Sequence, residues 1–278
     1  MRSLKNPNMM TWAKHPASSE EFDERIRRWG LLEESDLQIV PHIGEYAHEY
    51  RVPLHRHSRA QLIYAHTGLI TIITDQGRWM VPPDHAFWVP AGIDHSMHTH
   101  GYVSIRAIYV KRGSVPNLPE TSRVVGITDL MRCLIEEAVT LPKENPPDSR
   151  GGLIMALIRE EIPNLPEKPL GLPFPAEPRL EALCQEFLRN PSPHATIDDW
   201  AGAMAMSRRA FTRAFRRETG LSLSAWRQQA CLFAALPRLA RGEPVTSVAL
   251  DLGYDSLPAF TTMFRRILGA PPSRYLPV

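Results

Sequence analysis

The sequence predicts an α+β chain of two domains. The N-terminal domain is expected to be a β-barrel of the jelly-roll type with following helices. The C-terminal domain is expected to be all-α, with two helix-turn-helix units joined by a connecting helix. Three observations predict this arrangement: short apolar runs fill residues 37–112, one pattern occurs twice in residues 196–275, and prolines crowd residues 163–178 between them. A chain of 278 residues is long enough for each domain to bury its own core.

The C-terminal repeat shows apolar, small and basic residues at matched positions, 48 or 49 residues apart. The pairs are Ile197 and Val245, Trp200 and Val248, Ala201 and Ala249, Ala205 and Gly253, Phe211 and Phe260, Phe215 and Phe264, Arg216 and Arg265, Arg217 and Arg266, Gly220 and Gly269, and Trp226 and Tyr275. Such self-similarity indicates that one supersecondary unit was built twice.

Each copy has the local signals of a helix-turn-helix. Thr196 can cap the first helix, and Asp199 stands three residues later to complete a capping box. Pro244 suits the opening of the matching helix in the second copy. Gly253 can adopt the positive φ that a tight turn needs. The phenylalanines of each second helix, spaced four residues apart, predict its buried face.

Arginine and threonine side chains occupy the opposite face of each second helix. They are Arg209, Thr212, Arg213 and Arg216 in the first copy and Thr261, Thr262 and Arg265 in the second. A short helix with such a face fits the major groove of DNA. Residues 179–278 hold 13 Arg, no Lys and 8 acidic residues, a net charge of +5, whereas residues 1–178 carry −3. This basic excess favours phosphate binding. Two copies in register, each with the same order of small, turn and basic residues, argue against a pair of ordinary helical hairpins.

Residues 179–278 resemble the paired helix-turn-helix DNA-binding domain of the AraC/XylS family of transcription regulators. The resemblance is carried by the Ser-x-x-x-Phe-x-Arg-x-Phe run from Ser207 to Phe215, Leu-Gly-Tyr-Asp-Ser at 252–256, Phe-Arg-Arg at 264–266, and Gly-Ala-Pro-Pro-Ser-Arg-Tyr at 269–275. It implies a recognition helix beginning at Ser207 and a second one beginning near Ser256.

The resemblance also implies roles for residues of the first recognition helix. Arg209, Thr212 and Arg213 would face base edges, and Arg213 could contact guanine with two hydrogen bonds. Phosphate contacts would come from the remaining basic residues, which are Arg208, Arg216 and Arg217.

In the second unit, Leu257, Pro258 and Thr262 would face the bases, and the DNA-contacting set also includes Ser256, Thr261, Arg265 and Arg266. Leucine and proline side chains form no hydrogen bonds with bases, so the first unit is expected to carry most of the sequence specificity. A connecting helix is expected from about Leu223 to Arg241, in which Pro237 should cause a kink or remove a hydrogen bond.

A histidine constellation lies within the predicted barrel. Side chains alternate along a strand, so His55 and His57 would share one face. Gln61 would also point inward, and a neighbouring strand could bring His95 to the same place. Three imidazoles and one oxygen donor suit a divalent transition metal.

This spacing resembles the cupin family. The first motif reads His55-x-His57, then Gln61 after three residues and Gly68 after six, and the second motif reads Pro90-x-Gly92-x-x-His95. The departure is Gln61, where the family's metal sites have Glu. Two alternatives therefore stay open: a metal site, and a metal-free pocket for a small organic effector. His98 and His100 are expected to be surface or rim residues.

The remaining segments complete the predicted organisation. Residues 1–30 are expected to be an N-terminal arm, either a short amphipathic helix or partly ordered. Residues 31–115 are expected to form the barrel, and residues 116–162 a helical segment with helices at 121–141 and 149–162. These helices could cover the barrel or form a homodimer interface. Residues 163–178 are expected to be a semi-rigid interdomain linker, the only connection through which the two halves are coupled.

Cysteine usage and hydropathy bound the cellular setting. The three cysteines are scattered at Cys133, Cys184 and Cys231, which predicts neither a disulfide framework nor a metal site made of cysteines. No apolar run approaches the length of a membrane span, and the first residues lack the apolar core of a signal peptide. We therefore expect a soluble, cytoplasmic protein with no membrane partner.

The leading hypothesis is a ligand-responsive transcription regulator that is not an enzyme. Its barrel would sense a small molecule or a metal, and its helix-turn-helix pair would bind a promoter or operator in double-stranded DNA. The family resemblance implies an activator, with RNA polymerase as a partner. The competing hypothesis is a metal-dependent cupin enzyme, an oxygenase or isomerase, with an appended helical domain.

Overall fold

The computed structural model of the chain describes residues 34–142 and 144–275, so the predicted arm at 1–30 lies outside the described residues. The strands of the N-terminal domain are β1 (Ile39–Tyr46), β2 (Arg51–His55), β3 (Ala60–Thr74), β4 (Gly77–Val81), β5 (His85–Val89), β6 (His95–Val110), β7 (Arg123–Gly126), β8 (Glu167–Lys168) and β9 (Gly171–Pro173). They form one antiparallel sheet in the order β1-β6-β3-β5-β7-β8, with β2 paired to β6 and β4 lying between β3 and β9. This is the predicted cupin-like architecture.

The two faces of the sheet bury different partners because successive side chains point to opposite sides. One face, which includes Ile63 and Ile105, lies in the barrel interior. The other, which includes Leu62 and Trp88, is covered by helices α1 (Asp129–Ala138) and α2 (Arg150–Glu161). The helices after the barrel therefore cover it, which was one of the two predicted alternatives; the other was a homodimer interface.

The predicted helix at 121–141 is wrong in its first third. Residues Arg123–Gly126 form strand β7, and the helix begins only after its N-cap, Thr128. Val124 lies opposite Phe87 in the β5–β7 ladder. The apolar run from Val124 to Ile127 has no period that separates a strand from a helix, and the unpaired edge of β5 decides for the strand.

The proline-rich segment 163–178, predicted to be a semi-rigid linker, is paired to the edges of the barrel sheet. It contains a 3₁₀ turn and the short strands β8 and β9, and Leu170 and Leu172 within it are fully buried. Strand β9 pairs with β4, and Met80 donates a backbone hydrogen bond to Leu170 O at 3.1 Å. Prolines are tolerated here because these strands lie at sheet edges, and the leucines between them reach the core.

The C-terminal domain has the helices expected of a duplicated helix-turn-helix. They are α3 (Pro178–Arg189), α4 (Ile197–Ala203), α5 (Arg208–Thr219), α6 (Leu223–Ala240), α7 (Val245–Asp251) and α8 (Leu257–Leu268). The connecting helix α6 continues through Pro237, and the prolyl residue lies within its last turn. No helix among residues 34–142 and 144–275 is long and apolar enough to span a membrane.

The two halves touch directly, so the linker is not their only connection. Helix α6 packs against β3, β6 and β9. Trp226 donates its indole N–H to Pro173 O at 2.8 Å, and Gln229 donates its amide to Pro169 O at 3.1 Å. Further polar contacts join Arg78 to Gln185 at 3.2 Å and Arg274 to Asp84 at 2.8 Å. Apolar residues of the barrel interior and of the helical half form one continuous core.

Candidate DNA interface and effector site

The first recognition helix is α5, and its orientation is fixed by a cap and an aromatic core. Ser207 accepts a hydrogen bond from Ala210 N at 3.3 Å, as an N-cap serine does. Phe211 and Phe215 are each 1% exposed, and their rings lie within 6.3 Å of the Trp200 ring. With this face buried, the opposite face must point to solvent.

Every predicted DNA-contacting residue of the first unit lies on that solvent face. The exposed residues are Ser207, Arg208, Arg209, Thr212, Arg213, Arg216 and Arg217. Arg208 pairs with Asp198 of α4, which ties the start of the recognition helix to the helix before it. Arg217 lies 3.3 Å from Glu218. The other five residues of this set also present cationic or hydroxyl side chains on the exposed side of the unit.

The second unit repeats this geometry on α8. Ser256 caps the helix by accepting from Ala259 N at 3.3 Å, and Phe260 and Phe264 are fully buried. Of the predicted contacts, Ser256, Leu257, Thr262, Arg265 and Arg266 are exposed, whereas Thr261 is half-buried. Arg266 donates to Gln228 of the connecting helix. Thr261 is therefore less accessible to DNA than its first-unit counterpart Thr212, whereas Arg266, like Arg217, is exposed and has a side-chain partner.

The four predicted effector-site residues converge in the barrel. The imidazole centroids lie 4.9 Å apart for His55 and His57, 4.3 Å for His55 and His95, and 5.5 Å for His57 and His95. One nitrogen from each ring lies within 4.8 Å of the others. Gln61 lines the same cavity from β3. Three ring nitrogens at these distances can bind one metal ion.

The convergence does not arise from one continuous strand, as the alternation argument supposed. Strand β2 ends at His55, and its pairing with β6 shifts register between Val52 and His55. His57 lies beyond the strand, where its carbonyl accepts from Gly92 N at 2.8 Å. This bond joins the first motif to the loop of the second and brings His57 back to the cavity.

Backbone carbonyls orient two of the rings. His55 Nδ1 lies 2.8 Å from Pro53 O, and His95 Nδ1 lies 2.9 Å from Ile93 O. A carbonyl can only accept, so each Nδ1 carries the proton and each Nε2 is the unprotonated nitrogen of its ring. Each bond spans two residues, so the local chain sets the tautomer.

Burial also keeps these imidazoles neutral. Burial, followed by the charge of His55, lowers the pKa of His57 to about 4 and that of His95 to about 3. Burial lowers the pKa of His55 too, against the opposing effect of its hydrogen bond to Pro53. A neutral imidazole is the form that binds a metal ion, so the site is ready for one at neutral pH.

Gln61 supplies an oxygen atom that the protein itself does not satisfy. Its side chain is 6% exposed, and its Oε1 has no hydrogen-bond partner among the described residues. A buried amide oxygen without a partner costs free energy unless a ligand completes it. The cavity measures about 30 Å³. That is room for an ion or a water, below the roughly 300 Å³ at which organic ligand sites begin.

Sequence reasoning missed a second cluster on the outer face of β6. Of these two residues, predicted to be surface or rim residues, His100 is only 8% exposed and is not a surface residue, and His98 is half-buried. Nitrogen atoms of both rings and a carboxylate oxygen of Glu49 lie within 4.8 Å of one another. The alternation of His98 and His100 could have signalled a shared face. Glu49 lies in the distant β1–β2 turn and gave no signal.

Comparison with known proteins agrees with both halves of this description. Residues 39–158 match the AraC-like ligand binding domain, and residues 200–277 match a helix-turn-helix domain family. The HTH-type transcriptional regulator NimR of Escherichia coli K12 is 35% identical over 231 residues, 82% of this chain and 83% of that protein. The HTH-type transcriptional regulator RipA of Corynebacterium glutamicum is 33% identical over 105 residues, 37% of this chain and 31% of RipA.

Among solved structures, ToxT of Vibrio cholerae aligns with 86% of this chain and 98% of its own, at 9% identity and a TM-score of 0.36. The relationship to NimR extends over most of both chains and includes the sensor and the DNA-binding halves. The chain belongs to the AraC/XylS family of transcription regulators, with a cupin-like ligand-binding domain ahead of its helix-turn-helix pair.

Proposed function

We propose that this regulator responds to a divalent transition metal bound by His55, His57 and His95, with Gln61 as an oxygen donor. The observation that carries the proposal is the convergence of three neutral imidazoles and an unsatisfied amide oxygen on a cavity of about 30 Å³. When bound, the ion supplies charge and rigid coordination to the barrel. The residues do not favour catalysis, because Gln61 replaces the carboxylate of the cupin motif.

The response can reach the DNA-binding half through the strands that carry the donors. Gln61 lies on β3 and His95 begins β6, and both strands pack against the connecting helix α6. Helix α6 connects the two helix-turn-helix units and sets the distance between them. A shift of β3 or β6 would therefore change how α6 packs against the barrel. If α6 can pack against the barrel in two arrangements and the ion binds more tightly to one of them, metal binding would increase the population of that arrangement.

A small organic effector is the second candidate. The cavity wall beyond the histidines is largely apolar, with Ile63, Met97, Ile105 and Tyr109 among its residues. Such a wall with a few polar groups is typical of sites for small organic molecules. Because the cavity is small, this candidate requires the barrel to open.

We further infer a homodimeric activator that acts in the cytoplasm and contacts RNA polymerase at its promoter. Support for the dimer comes from the helices that cover the barrel. Their outer faces expose Leu130, Leu153 and Leu157, which are 50%, 57% and 47% exposed. Leucines four residues apart on α2 form the stripe that a second copy of the helix could cover.

The decisive experiment is metal analysis of untagged protein beside a His55→Ala/His57→Ala variant and a His194→Ala control. We expect the double variant to contain one metal equivalent less per chain than wild type and than the control. The wild type should also change its promoter affinity when metal is added, and the double variant should not. Equal metal content in all three proteins would refute the metal proposal and direct the search to organic effectors.

A further inference from the structure

We propose that Glu49, His98 and His100 form a second binding site for a divalent ion of the Zn²⁺ type, on the outer face of the barrel. The site is separate from the inner histidine cluster. His95 and Met97 of β6 point into the cavity, whereas His98 and His100 point to the other side of the same strand. Two imidazoles and a carboxylate are donors that a zinc ion accepts, with further positions left to water.

The distances place the three donors around one point. His98 Nε2 lies 2.8 Å from Glu49 Oε2, and His100 Nδ1 lies 3.8 Å from Glu49 Oε1. The two imidazole centroids are 4.5 Å apart. An ion between these atoms would replace the contact between Glu49 and His98 and would need only small side-chain movements.

Thr71 prepares His100 for this role. Its Oγ1 lies 2.8 Å from His100 Nε2, so an Nε2–H that donates to Thr71 leaves the lone pair on Nδ1, which faces Glu49. Metal-binding histidines are commonly held by such a bond from the second ring nitrogen. Burial, followed by the charges of His98 and Arg241, lowers the pKa of His100 to about 3, so the ring is neutral at pH 7.

Glu49 is held in an unfavourable conformation that points its carboxylate at the two rings. Its φ is +56°, in the left-handed region that suits glycine or asparagine. A glycine would fit this turn better, so turn formation alone does not favour glutamate. Backbone strain of this kind is often found where a side chain binds a ligand.

The outer site lies next to the connecting helix. Helix α6 packs against β6, and Arg241 at its C-terminal end is close enough to lower the pKa of His100 by charge repulsion. An ion with two positive charges would repel the Arg241 guanidinium. Occupancy would therefore weaken the docking of the C-terminal end of α6 on the barrel.

The test uses the full-length His55→Ala/His57→Ala protein, in which the inner site is removed. Equilibrium dialysis against ZnCl₂ should show about one Zn²⁺ per chain. Adding Glu49→Gly or His98→Gln should abolish this binding, while adding His194→Ala should leave it unchanged. No zinc in the inner-site variant, or zinc that survives both outer-site substitutions, would overturn the proposal.

Glu49→Gly is a suitable variant because it removes a donor and also relieves the left-handed strain. Its thermal midpoint should be at least that of its parent, so lost zinc binding cannot be ascribed to unfolding. The experiment distinguishes the two sites. If wild-type protein binds zinc and only Glu49→Gly abolishes that binding, the inner-site proposal is wrong and the outer-site proposal stands. If only His55→Ala/His57→Ala abolishes zinc binding, the outer-site proposal is wrong and the inner-site proposal stands.

Arg241→Ala tests the placement beside α6. Removing a positive charge near the ion should tighten zinc binding at the outer site roughly fivefold at low ionic strength. The gain should shrink at high salt, where the charge is screened. An unchanged zinc affinity in Arg241→Ala at low salt would show that the ion does not lie near α6, and it would overturn this placement.

Discussion

Ala205 and Gly253 occupy equivalent turns of the two helix-turn-helix units, and both have a left-handed backbone, with φ of +53° and +79°. The match was visible in the sequence at an offset of 48 residues. Glycine adopts this conformation without strain, whereas alanine places its Cβ too close to the next carbonyl oxygen. The duplicated turn is therefore relaxed in the second unit and strained in the first.

Ala205→Gly should stabilise the protein, by about 0.5–1 kcal/mol, because it relieves the strain at a cost in unfolded-chain entropy. Gly253→Ala should destabilise it by about 1–2 kcal/mol, since the nearest atom to an added Cβ is at 3.5 Å and only the backbone conformation is penalised. Chemical denaturation followed by circular dichroism measures both. Shifts of the same sign would contradict the equivalence of the turns.

Arg213→Ala should relax sequence specificity at one base position by roughly 10- to 100-fold, because it removes a base contact. Thr262→Ala should relax it less. Arg217→Ala should weaken all sequences about equally and reduce the salt dependence of binding by about one ion. Selection from a random DNA library, followed by affinity measurements on the selected sites, makes the comparison. Equal losses for Arg213→Ala and Thr262→Ala across mutated sites would exclude a dominant first unit.

The stability of the metal-free protein should fall between pH 7 and pH 5.5. The pKa of His57 is about 4 in the folded protein and ordinarily 6.5, so over this range the unfolded chain takes up a proton that the folded chain does not. The cost is about 1 kcal/mol from His57 at pH 5.5. His57→Gln should lose that share of the pH dependence. Denaturant unfolding curves at pH 7 and pH 5.5 measure the free energy of unfolding of both proteins. If the variant loses as much stability between these pH values as the wild type, His57 does not cause the loss.

Gln229→Met should loosen the docking of the connecting helix on the barrel. It keeps the side-chain volume and removes the hydrogen bond to Pro169 O, which costs about 1 kcal/mol. Faster amide hydrogen exchange in β9 and a weaker effector response are expected. Gln228→Met, on the same helix but bonded to Arg266, serves as the control. Exchange in β9 that matches the wild type would show that this bond does not hold the domains together.

Leu153→Glu combined with Leu157→Glu should convert the proposed homodimer to monomers, because two charges would interrupt an apolar stripe. Leu250→Glu is the matched control, since Leu250 is 58% exposed and lies on α7 of the DNA-binding half. Light scattering after size-exclusion chromatography gives the mass. A wild-type monomer, or a variant that remains dimeric, would remove these leucines from the interface.

The DNA-binding half was predictable nearly to the residue, because its determinants are local. The capping box of Thr196 and Asp199 forms as predicted, and the phenylalanines spaced four residues apart are buried in both units. Each of these features depends on a helix period or on a cap within one turn. Thr261 was placed less well, because its burial depends on neighbours beyond its own helix.

The barrel was predictable as an architecture but less so as a set of segments. The residues around Val124 carry an apolar run that suits either a helix or a strand, and pairing with β5 decides between them. Leu170 and Leu172 lie among prolines that indicate a linker, yet this segment pairs with the edge of the sheet at β4. Such outcomes depend on which edge is unpaired, and a local window does not contain that information.

The sequence by itself determined the duplicated helix-turn-helix units and identified the candidate effector-site residues His55, His57, Gln61 and His95. Repeats, caps and motif spacings are properties of the chain alone. Only the tertiary structure decided the backbone hydrogen bond from Gly92 that brings His57 to the cavity, the docking of α6 on the barrel, and the proximity of Glu49 to His98 and His100. The physical reason is that these relationships join distant segments. Their geometry follows from strand pairing and shared burial, which no local pattern records.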